Sequence, residues 1–491
     1  MSHKCTLRHR VFDKLPTLLV AVTILSYTAF FAWLSALQHD RFLTGGYDLG
    51  IFDQTVWNTL HGRVLWLTNV PEPNSRLGVH FEPILIPLSL SYLVWSDART
   101  LLLIQTVALA LSAIPIYWLG WERLGNWPAL GLVIVYLLFP ALEGANLFEF
   151  HPNTLAVPFL TFAYYYLLHR RYRSFAVYAA LAMACREDVS LMIGMMGIYA
   201  LLIHQDREGW FVLLSGTGMS FLAYFVLIPY FHNTYSVGTS PYIHIMHYAA
   251  LGSSPTQIAL TMITRPRFVL QYVFSNPDKV RYLTHLTAPL AFLALLDIPT
   301  LLPALPIVTI NLLSNWSPTY ALDRFHYSVA IVPFVVFAAT NGMKRLIEWL
   351  DRWRNIRPQF MLTVLMVATM LTSLVYHIRF GHTPISTGFA LPETEARHAT
   401  AYEMFQLIPP DTPLSAQSNL NPHLSQRSII YLFPKLEDPT AVPAEYVALD
   451  RFGDIFPLTV ERYNSMLIEM LTSGEYRVVF DKDGYLLLHR R

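Results

Sequence analysis

Long apolar blocks, separated by short polar or basic turns, dominate the chain up to about residue 377. The first block runs from Pro16 to Leu37, and an amphipathic stretch follows it before the apolar blocks resume. A transmembrane helix needs roughly 20 predominantly apolar residues, so this pattern predicts membrane spans rather than the core helices of a soluble protein. From Arg379 onward charges and prolines return, and we expect no further span.

Hydropathy and the positive-inside rule together predict about eleven spans, with both large basic clusters on the cytoplasmic side. The predicted spans cover residues 16–37, 100–119, 127–141, 153–168, 175–185, 189–203, 210–230, 283–296, 299–313, 327–339 and 360–376. The first is too long for a signal-peptide core, so we expect it to be retained, with residues 1–15 in the cytoplasm. The piece Phe81–Trp95 is short and contains two prolines, which predicts an interfacial or re-entrant segment.

This topology gives a transmembrane domain at residues 16–377, with large outer loops at 38–98 and 231–282. The remainder, residues 378–491, is expected to form a small extracytoplasmic α/β domain. Its predicted elements are strands at Thr412–Gln417, Ser428–Phe433, Tyr446–Leu449, Arg477–Phe480 and Tyr485–His489, a helix at Val460–Leu471 and a hairpin turn at Asp483-Gly484. The fold class is therefore an all-α polytopic membrane protein with a small C-terminal α/β domain.

Composition supports this assignment. The chain is 54% hydrophobic and only 14% charged, with a mean hydropathy of +0.39, whereas soluble proteins carry about 25% charged residues. A net charge of +1, without a basic tract interleaved with aromatics, argues against nucleic-acid binding. Cys5 and Cys185 fit no metal-ligand spacing, and a disulfide framework is not expected.

The stretch Gly46–Asn58 follows the first span and predicts an amphipathic helix lying in the membrane interface, entered at Asp48 as its N-cap. Leu49, Phe52 and Val56 recur at helical spacing, while Gln54 and Asn58 lie on another face. At the lipid–water boundary, Asp48 could act as a general base or orient an acceptor hydroxyl. Helix capping alone explains it equally well. Asp53 is the second candidate catalytic residue, expected to orient or to hydrogen-bond, and a solvated helix face is the alternative.

Charged and polar residues collect on the outer side of the predicted membrane domain. Since charges cost several kcal/mol in a bilayer, a one-sided ring of acids, histidines and arginines indicates a site around an outward cavity. The members of this ring are Asp48, Asp53, His80, Glu82, Glu149, His151, Arg186, Glu187, Asp188, Arg324, His326 and Tyr327.

Several of these residues allow more than one reading. His80, Glu82, Glu149 and His151 could share a divalent metal ion such as Zn or Mn, could bind phosphate, or could cap helices that begin at the adjacent prolines. Arg186 either pairs with its acidic neighbours Glu187 and Asp188 or faces a phosphate.

Arg324, with His326 and Tyr327, could hold a phosphate or a sugar hydroxyl. An arginine snorkelling to the interface within an aromatic belt is an equal alternative.

The set of motifs resembles a family of polytopic prokaryotic membrane proteins with a domain of unknown function, which is grouped with the GT-C glycosyltransferases. The motifs are Tyr47-Asp48-Leu49-Gly50-Ile51-Phe52-Asp53-Gln54, His80-Phe81-Glu82-Pro83, Phe150-His151-Pro152, Arg186-Glu187-Asp188 and His326-Tyr327, and the resemblance extends over about residues 15–490. GT-C enzymes carry an acid soon after the first span, which Asp48 matches. They often carry another in the loop between spans three and four, where Glu149 and His151 stand.

The resemblance implies transfer of a sugar from a polyprenyl-phosphate donor to a glycan, lipid or protein acceptor on the outer face of a prokaryotic plasma (inner) membrane. Asp48 would be the base, and Arg186, His80 or Arg324 would stabilise the departing phosphate. Membrane lipids are the other expected partners, and a divalent metal ion is a possible but uncertain cofactor. The rival classes are a polytopic transporter and a non-catalytic receptor or assembly protein on the same scaffold.

Overall fold

The computed structural model describes residues 2–69, 74–235, 243–354, 357–437 and 442–491. This description does not include residues 70–73 and 236–242, which belong to the predicted outer loops. It also does not include the side chains of the basic N-terminus. The α-helices within it are α1 Ser2–Asp40, α2 Ile51–Leu60, α3 Leu85–Leu88, α4 Arg99–Leu111, α5 Ala113–Leu124, α6 Asn126–Leu137, α7 Pro140–Leu147, α8 Pro152–Leu168, α9 Tyr172–Met183, α10 Val189–Tyr199, α11 Glu208–Leu222, α12 Ile228–Tyr235, α13 Pro255–Thr264, α14 Pro266–Phe274, α15 Pro277–Thr287, α16 Ile298–Leu301, α17 Leu305–Leu313, α18 Val332–Arg354, α19 Pro358–Phe380, α20 His398–Phe405 and α21 Val460–Thr472.

Short helical turns of other types join or extend these helices. The π-helical turns are Gly46–Gly50, Ala200–His204 and Ala223–Leu227. The 3-10 turns are Arg76–Gly78, Ser89–Leu93, Ile243–Tyr248, Ala288–Leu290, Leu293–Leu296, Leu302–Ala304, Ser317–Tyr320, His326–Ile331 and Asn421–His423.

Among the described residues, five helical stretches are long and apolar enough to cross a membrane. They are Lys14–Asp40, Arg99–Leu124, Glu208–Thr234, His326–Trp353 and Pro358–Phe380. Helices α6 and α7 meet at 45° and make a sixth if they form one bent span. All six coincide with predicted spans. The other five predicted spans correspond to shorter helices, so the total of about eleven remains a prediction.

The predicted span at residues 283–296 is not a continuous helix. Helix α15 ends at Thr287, and Ala291 and Phe292 then adopt positive φ angles of 51° and 59°. Two consecutive residues in the left-handed region interrupt a helix, because the ladder of hydrogen bonds cannot pass through them. The apolar piece Phe81–Trp95 likewise contains only α3 and one 3-10 turn, as its prolines predicted.

The C-terminal sheet has five strands in the order β2-β1-β3-β5-β4. The strands are β1 Leu414–Ala416, β2 Ile430–Leu432, β3 Tyr446–Asp450, β4 Tyr476–Lys482 and β5 Tyr485–Arg490. Strand β1 pairs in parallel with β2 and β3, whereas β5 runs antiparallel to β3 and β4. Each of the five lies where the sequence predicted a strand, and α21 lies where it predicted a helix. Positive φ at Asp483 and Gly484 confirms the β4–β5 hairpin turn.

The sheet is covered on both faces, since alternate residues of β3 and β5 belong to different apolar clusters. Ala448 and Leu487 pack toward α20, and Val447 and Leu486 pack toward α21. Phe42, from the loop after α1, completes the first cluster. This side chain therefore anchors the C-terminal domain to the end of the first span.

Candidate functional site

The first turn after α1 carries Asp48, and the structure corrects the expectation that this residue caps its helix. The turn is a π-helix whose N-cap is Gly45, and it continues into α2. The capping carboxylate instead comes from Glu149, whose two oxygens accept hydrogen bonds from the backbone N–H groups of Gly45 at 2.8 Å and Leu49 at 2.7 Å. A carboxylate at this position complements the positive end of a helix. Asp48 is thereby left free for another role.

Asp48 faces His151. Its Oδ1 lies 3.1 Å from Nε2 of His151, and the Asp48 side chain is 32% exposed while His151 is 7% exposed. The ring of His151 stacks on that of His326 at a centroid distance of 3.6 Å, and His326 contacts the ring of Tyr327 at 4.1 Å. The carboxylate is thus accessible from one side and held on the other by a buried histidine pair.

The loop that supplies Glu149 and His151 is held by Gln105 from the middle of α4. The side-chain amide of Gln105 donates to the carbonyl of Glu149 at 2.6 Å and accepts from the N–H of His151 at 2.9 Å. Glu149 itself has a positive φ of 59°, which is uncommon for a residue other than glycine. Burial, together with the charge of Asp48, raises the pKa of Glu149, while the two N–H donors oppose this shift.

The C-terminal domain forms the opposite wall of the Asp48 turn. Ser418 accepts from the N–H of Gly46 through both its carbonyl, at 2.9 Å, and its hydroxyl, at 3.2 Å. Asn421 and Asn69 exchange two buried amide hydrogen bonds, at 2.9 and 2.5 Å. A Cβ atom on Gly50 would overlap Oδ1 of Asn421. The glycine in this turn is therefore required by the close approach of the domain.

His80 is held by Glu187 rather than by its sequence neighbour Glu82. Its Nδ1 lies 2.7 Å from Oε1 of Glu187, and the other carboxylate oxygen accepts from the N–H of Phe81 at 2.9 Å. Burial and the positive charge of Arg186 lower the pKa of His80 well below its usual range. The imidazole is therefore neutral near pH 7 and can offer one donor and one acceptor.

Glu82 instead forms a buried ion pair with Arg76. Arg76 is not among the candidate residues that the sequence indicated. Nε and Nη2 of Arg76 contact the two carboxylate oxygens at 2.5 and 3.2 Å. The guanidinium also lies 4.7 Å from the centre of the Phe52 ring, on α2. A two-pronged pair of this kind fixes both chain segments in one geometry.

Arg186 is only partly satisfied by its neighbours. Its Nε lies 3.4 Å from Oδ2 of Asp188, but neither this nitrogen nor the other Asp188 oxygen makes a hydrogen bond with a described residue. The side chain is 17% exposed. Its positive charge acts on the imidazole of His80. Burial raises the pKa of Asp188 to about 6 against the opposing effect of Arg186.

Asp53 and Arg324 do not join this group. Asp53 is fully buried and accepts hydrogen bonds from Tyr92 at 2.5 Å, Ser425 at 2.5 Å and Gln426 at 3.0 Å. Burial raises its pKa to about 6. Asp53 therefore lies neither on a solvated face nor in an open cavity, and it links α2 to the C-terminal domain. Arg324 is exposed and pairs with no described acid.

The four candidate metal ligands do not converge, which corrects the shared-metal alternative. Glu82 binds Arg76, His80 binds Glu187, and His151 binds Asp48, while Glu149 accepts from backbone N–H groups. In the part of the chain that the structure describes, no group of three His, Cys, Asp or Glu side chains is placed to hold a metal ion.

Gln54 and Asn58, predicted to form the polar face of an interfacial helix, are also buried. The Gln54 amide donates to Thr68 and accepts from two backbone N–H groups, and Asn58 donates to the carbonyl of Trp66. This face packs under the outer loop and the C-terminal domain instead of contacting water. The sequence contains one signal for the support of the loop at Glu149 and His151, namely the presence of a glutamine, Gln105, within an apolar span.

Comparison with solved structures defines the class of fold. The structure of ArnT from Cupriavidus metallidurans bound to undecaprenyl phosphate matches with a TM-score of 0.52 at 12% identity, covering 95% of this chain and 97% of ArnT. The apo form of the same protein matches with a TM-score of 0.51 at 10% identity, covering 96% and 97%. The archaeal oligosaccharyltransferase AglB from Archaeoglobus fulgidus, in complex with an inhibitory peptide and a dolichol-phosphate, gives 0.40 at 11% identity, covering 87% and 69%.

The two ArnT matches show that the chain shares the fold of that protein. Residues 38–487 match the model of the family described as predicted membrane protein DUF2079. The chain therefore belongs to the DUF2079 family. The search of curated proteins gives no significant match.

Proposed function

We propose that this protein is a membrane glycosyltransferase that moves a sugar from a polyprenyl-phosphate donor to an acceptor on the extracytoplasmic face of a prokaryotic inner membrane. One observation carries the proposal: a partly exposed carboxylate, Asp48, lies at the end of the first span and is held by His151. The fold shared with ArnT, which binds undecaprenyl phosphate, supports a lipid-phosphate donor.

In the proposed reaction, Asp48 accepts the proton of an acceptor hydroxyl as its oxygen attacks the anomeric carbon. The bond between that carbon and the phosphate oxygen breaks, and its electron pair leaves with the lipid phosphate, giving inversion. Arg186, with hydrogen-bonding capacity unused by Asp188, is suited to hold the departing phosphate. His80, neutral and fixed by donating its Nδ1–H to Glu187, can accept one further hydrogen bond at Nε2.

The test is sugar transfer by purified protein with a panel of polyprenyl-phosphate sugars, with and without a chelator. Asp48→Asn should lower turnover by about 10²–10⁴-fold, the usual contribution of a general base. Asp351→Asn is the matched control. Asp351 is an exposed carboxylate near the C-terminal end of α18, whereas His326 comes just before the N-terminal end of that helix. Transfer that survives in a folded Asp48→Asn protein would refute the assigned base.

A wild-type protein that neither binds nor cleaves any donor in the panel would refute the enzymatic function. In that case the transporter and the non-catalytic scaffold become the better hypotheses. Where the wild type transfers a sugar, loss of transfer with EDTA would show that a divalent ion takes part.

A further inference from the structure

A cavity lies apart from the Asp48 site. It has a volume of about 440 Å³, within the range of about 300–1,000 Å³ that is usual for small-ligand sites. It is lined by Phe268, Gln271, Tyr272, Ser275, Asn276, Lys279, Asn315 and Tyr320. None of these residues belongs to the group around Asp48, and the proposed transfer uses none of them.

The cavity contains a buried lysine without an acidic partner. Lys279 is 1% exposed, and its Nζ makes neither an ion pair nor a hydrogen bond with any residue that the structure describes. The ammonium lies 3.9 Å from the centre of the Tyr272 ring and 5.6 Å from that of Tyr320. Cation–π contacts compensate only part of the cost of burying a charge. An anionic group in the cavity would supply the missing partner.

The position of Lys279 in its helix strengthens this argument. Helix α15 begins at Pro277, with Asn276 as its N-cap, so Lys279 lies in the first turn. The positive end of a helix favours an anion and disfavours a lysine there. Two sources of positive potential, the lysine and the helix end, therefore act on the same cavity.

The other lining groups indicate the rest of the ligand. Gln271 and Asn315 carry amides that can both donate and accept, and the tyrosine rings offer flat apolar faces. A sugar ring matches this combination, because it presents hydroxyl groups at its edge and C–H groups on its faces. A fatty-acyl chain would make no use of the two exposed amides.

A row of contacting residues connects the cavity with the Asp48 site. The N–H of Asn315 donates to the carbonyl of His247 at 2.7 Å, and Trp316, next in the chain, stacks on the His247 ring at 4.8 Å. Trp316 also contacts Tyr327 at 5.5 Å, and Tyr327 adjoins His326. The cavity and the Asp48 site are therefore linked by a short row of contacting residues.

We propose that this cavity binds an acidic sugar, a residue bearing a carboxylate or a phosphate, through Lys279. Such a residue would belong to the glycan acceptor, and only this last assignment rests on the proposed glycosyl transfer. Binding itself is independent of it and can be measured without any donor.

The experiment compares ligands that differ by one charged group. Binding of methyl β-D-glucuronide, methyl β-D-galacturonide and glucose 6-phosphate to the full-length protein is measured by calorimetry, beside methyl β-D-glucoside, inorganic phosphate and nanodiscs containing anionic phospholipid. We expect at least one acidic sugar to bind about 10-fold more tightly than the neutral glucoside, which corresponds to about 1.4 kcal/mol. Lys279→Met should abolish that difference, and Lys279→Arg should retain it.

Three further variants serve as controls for this experiment. Gln271→Ala should weaken acidic and neutral sugars alike, and Lys344→Met, a lysine paired with Glu348 on α18, should change neither. Asp48→Asn should bind acidic sugars as the wild type does, so loss of transfer and loss of binding are separable. The proposal is overturned if acidic and neutral sugars bind equally, if no acidic sugar binds, if the difference persists in folded Lys279→Met, or if phospholipid or inorganic phosphate alone depends on Lys279.

Discussion

Oδ1 of Asp48 and Nε2 of His151 lie 3.1 Å apart, although the two residues are separated by 103 positions in the chain. Because His151 is buried and its backbone is held by Gln105, the histidine fixes the direction of the carboxylate. It acts on the proposed reaction through Asp48 and is a positioning residue.

His151→Phe should keep the stacking on His326 but lose the contact with Asp48. We expect turnover to fall by about 10-fold, less than in Asp48→Asn, because the base is retained but poorly oriented. His151→Gln, which can still donate a hydrogen bond to the carboxylate, should restore much of the rate. A His151→Gln protein no more active than His151→Phe would contradict the positioning role.

Gly50→Ala tests the contact between the Asp48 turn and the C-terminal domain. The added methyl group would overlap Asn421 and crowd Asn69, so we expect a loss of about 1–3 kcal/mol in stability, the usual cost of overpacking. Thermal unfolding and limited proteolysis between the two domains would measure it.

Gly218→Ala is the control for this prediction. Gly218 lies inside α11, and a Cβ atom there has no neighbour within 4 Å. Alanine should be neutral or stabilising at that position. If Gly50→Ala were also neutral or stabilising, the inference that the C-terminal domain packs tightly on the Asp48 turn would be contradicted.

Asp53 predicts a pH-dependent stability. Its pKa is raised from 3.8 to about 6 in the folded protein, so between these values the folded state holds a proton that the unfolded state has released. Stability should therefore fall as pH rises through this window, by an amount on the order of 3 kcal/mol, and then level off. Asp53→Asn should remove this part of the pH dependence in thermal unfolding at pH 4–7. A difference in stability between the wild type and Asp53→Asn that stays constant from pH 4 to 7 would contradict the prediction.

The Arg76–Glu82 pair predicts an asymmetry between single and double substitutions. Glu82→Gln leaves a buried guanidinium without its partner, which should cost on the order of 3–5 kcal/mol. Replacing both residues, Arg76→Met with Glu82→Leu, should recover much of that loss because no charge remains buried. Unfolding temperatures of the two variants and of the wild type provide the measurement.

Asp278→Asn, which breaks an exposed pair with Arg281, should leave the unfolding temperature nearly unchanged. A double variant no more stable than Glu82→Gln would show that the ion pair is not the main source of the effect.

The elements of the C-terminal domain could be predicted because each carries a local signal. Strands β3 and β5 alternate apolar residues between two faces, and Asp483-Gly484 provides residues that tolerate positive φ. The first span could be predicted for the same reason, since its length and apolarity are contained within one segment. Helix α20 was missed, as it spans only eight residues, His398–Phe405.

The site could be predicted only as a list of members. The sequence drew attention to Asp48, His151, Arg186 and Glu187, but their pairing depends on contacts over about a hundred positions, which no local pattern contains. The expected N-cap at Asp48 failed for this reason, since Glu149 supplies the carboxylate from a distant loop. The residues on the C-terminal wall, such as Asn421, carry no chemical motif.

The docking of the C-terminal domain on the Asp48 turn also has a consequence for biogenesis. Ribosomes make the turn early, but Ser418 and Asn421, which complete its wall, are made more than 350 residues later. While the chain is being inserted, the turn lacks this wall, and the polar groups of Gly46 and Asn69 are open to water. The wall of the site is therefore completed only late in synthesis, and a chain that ended before Ser418 would lack it.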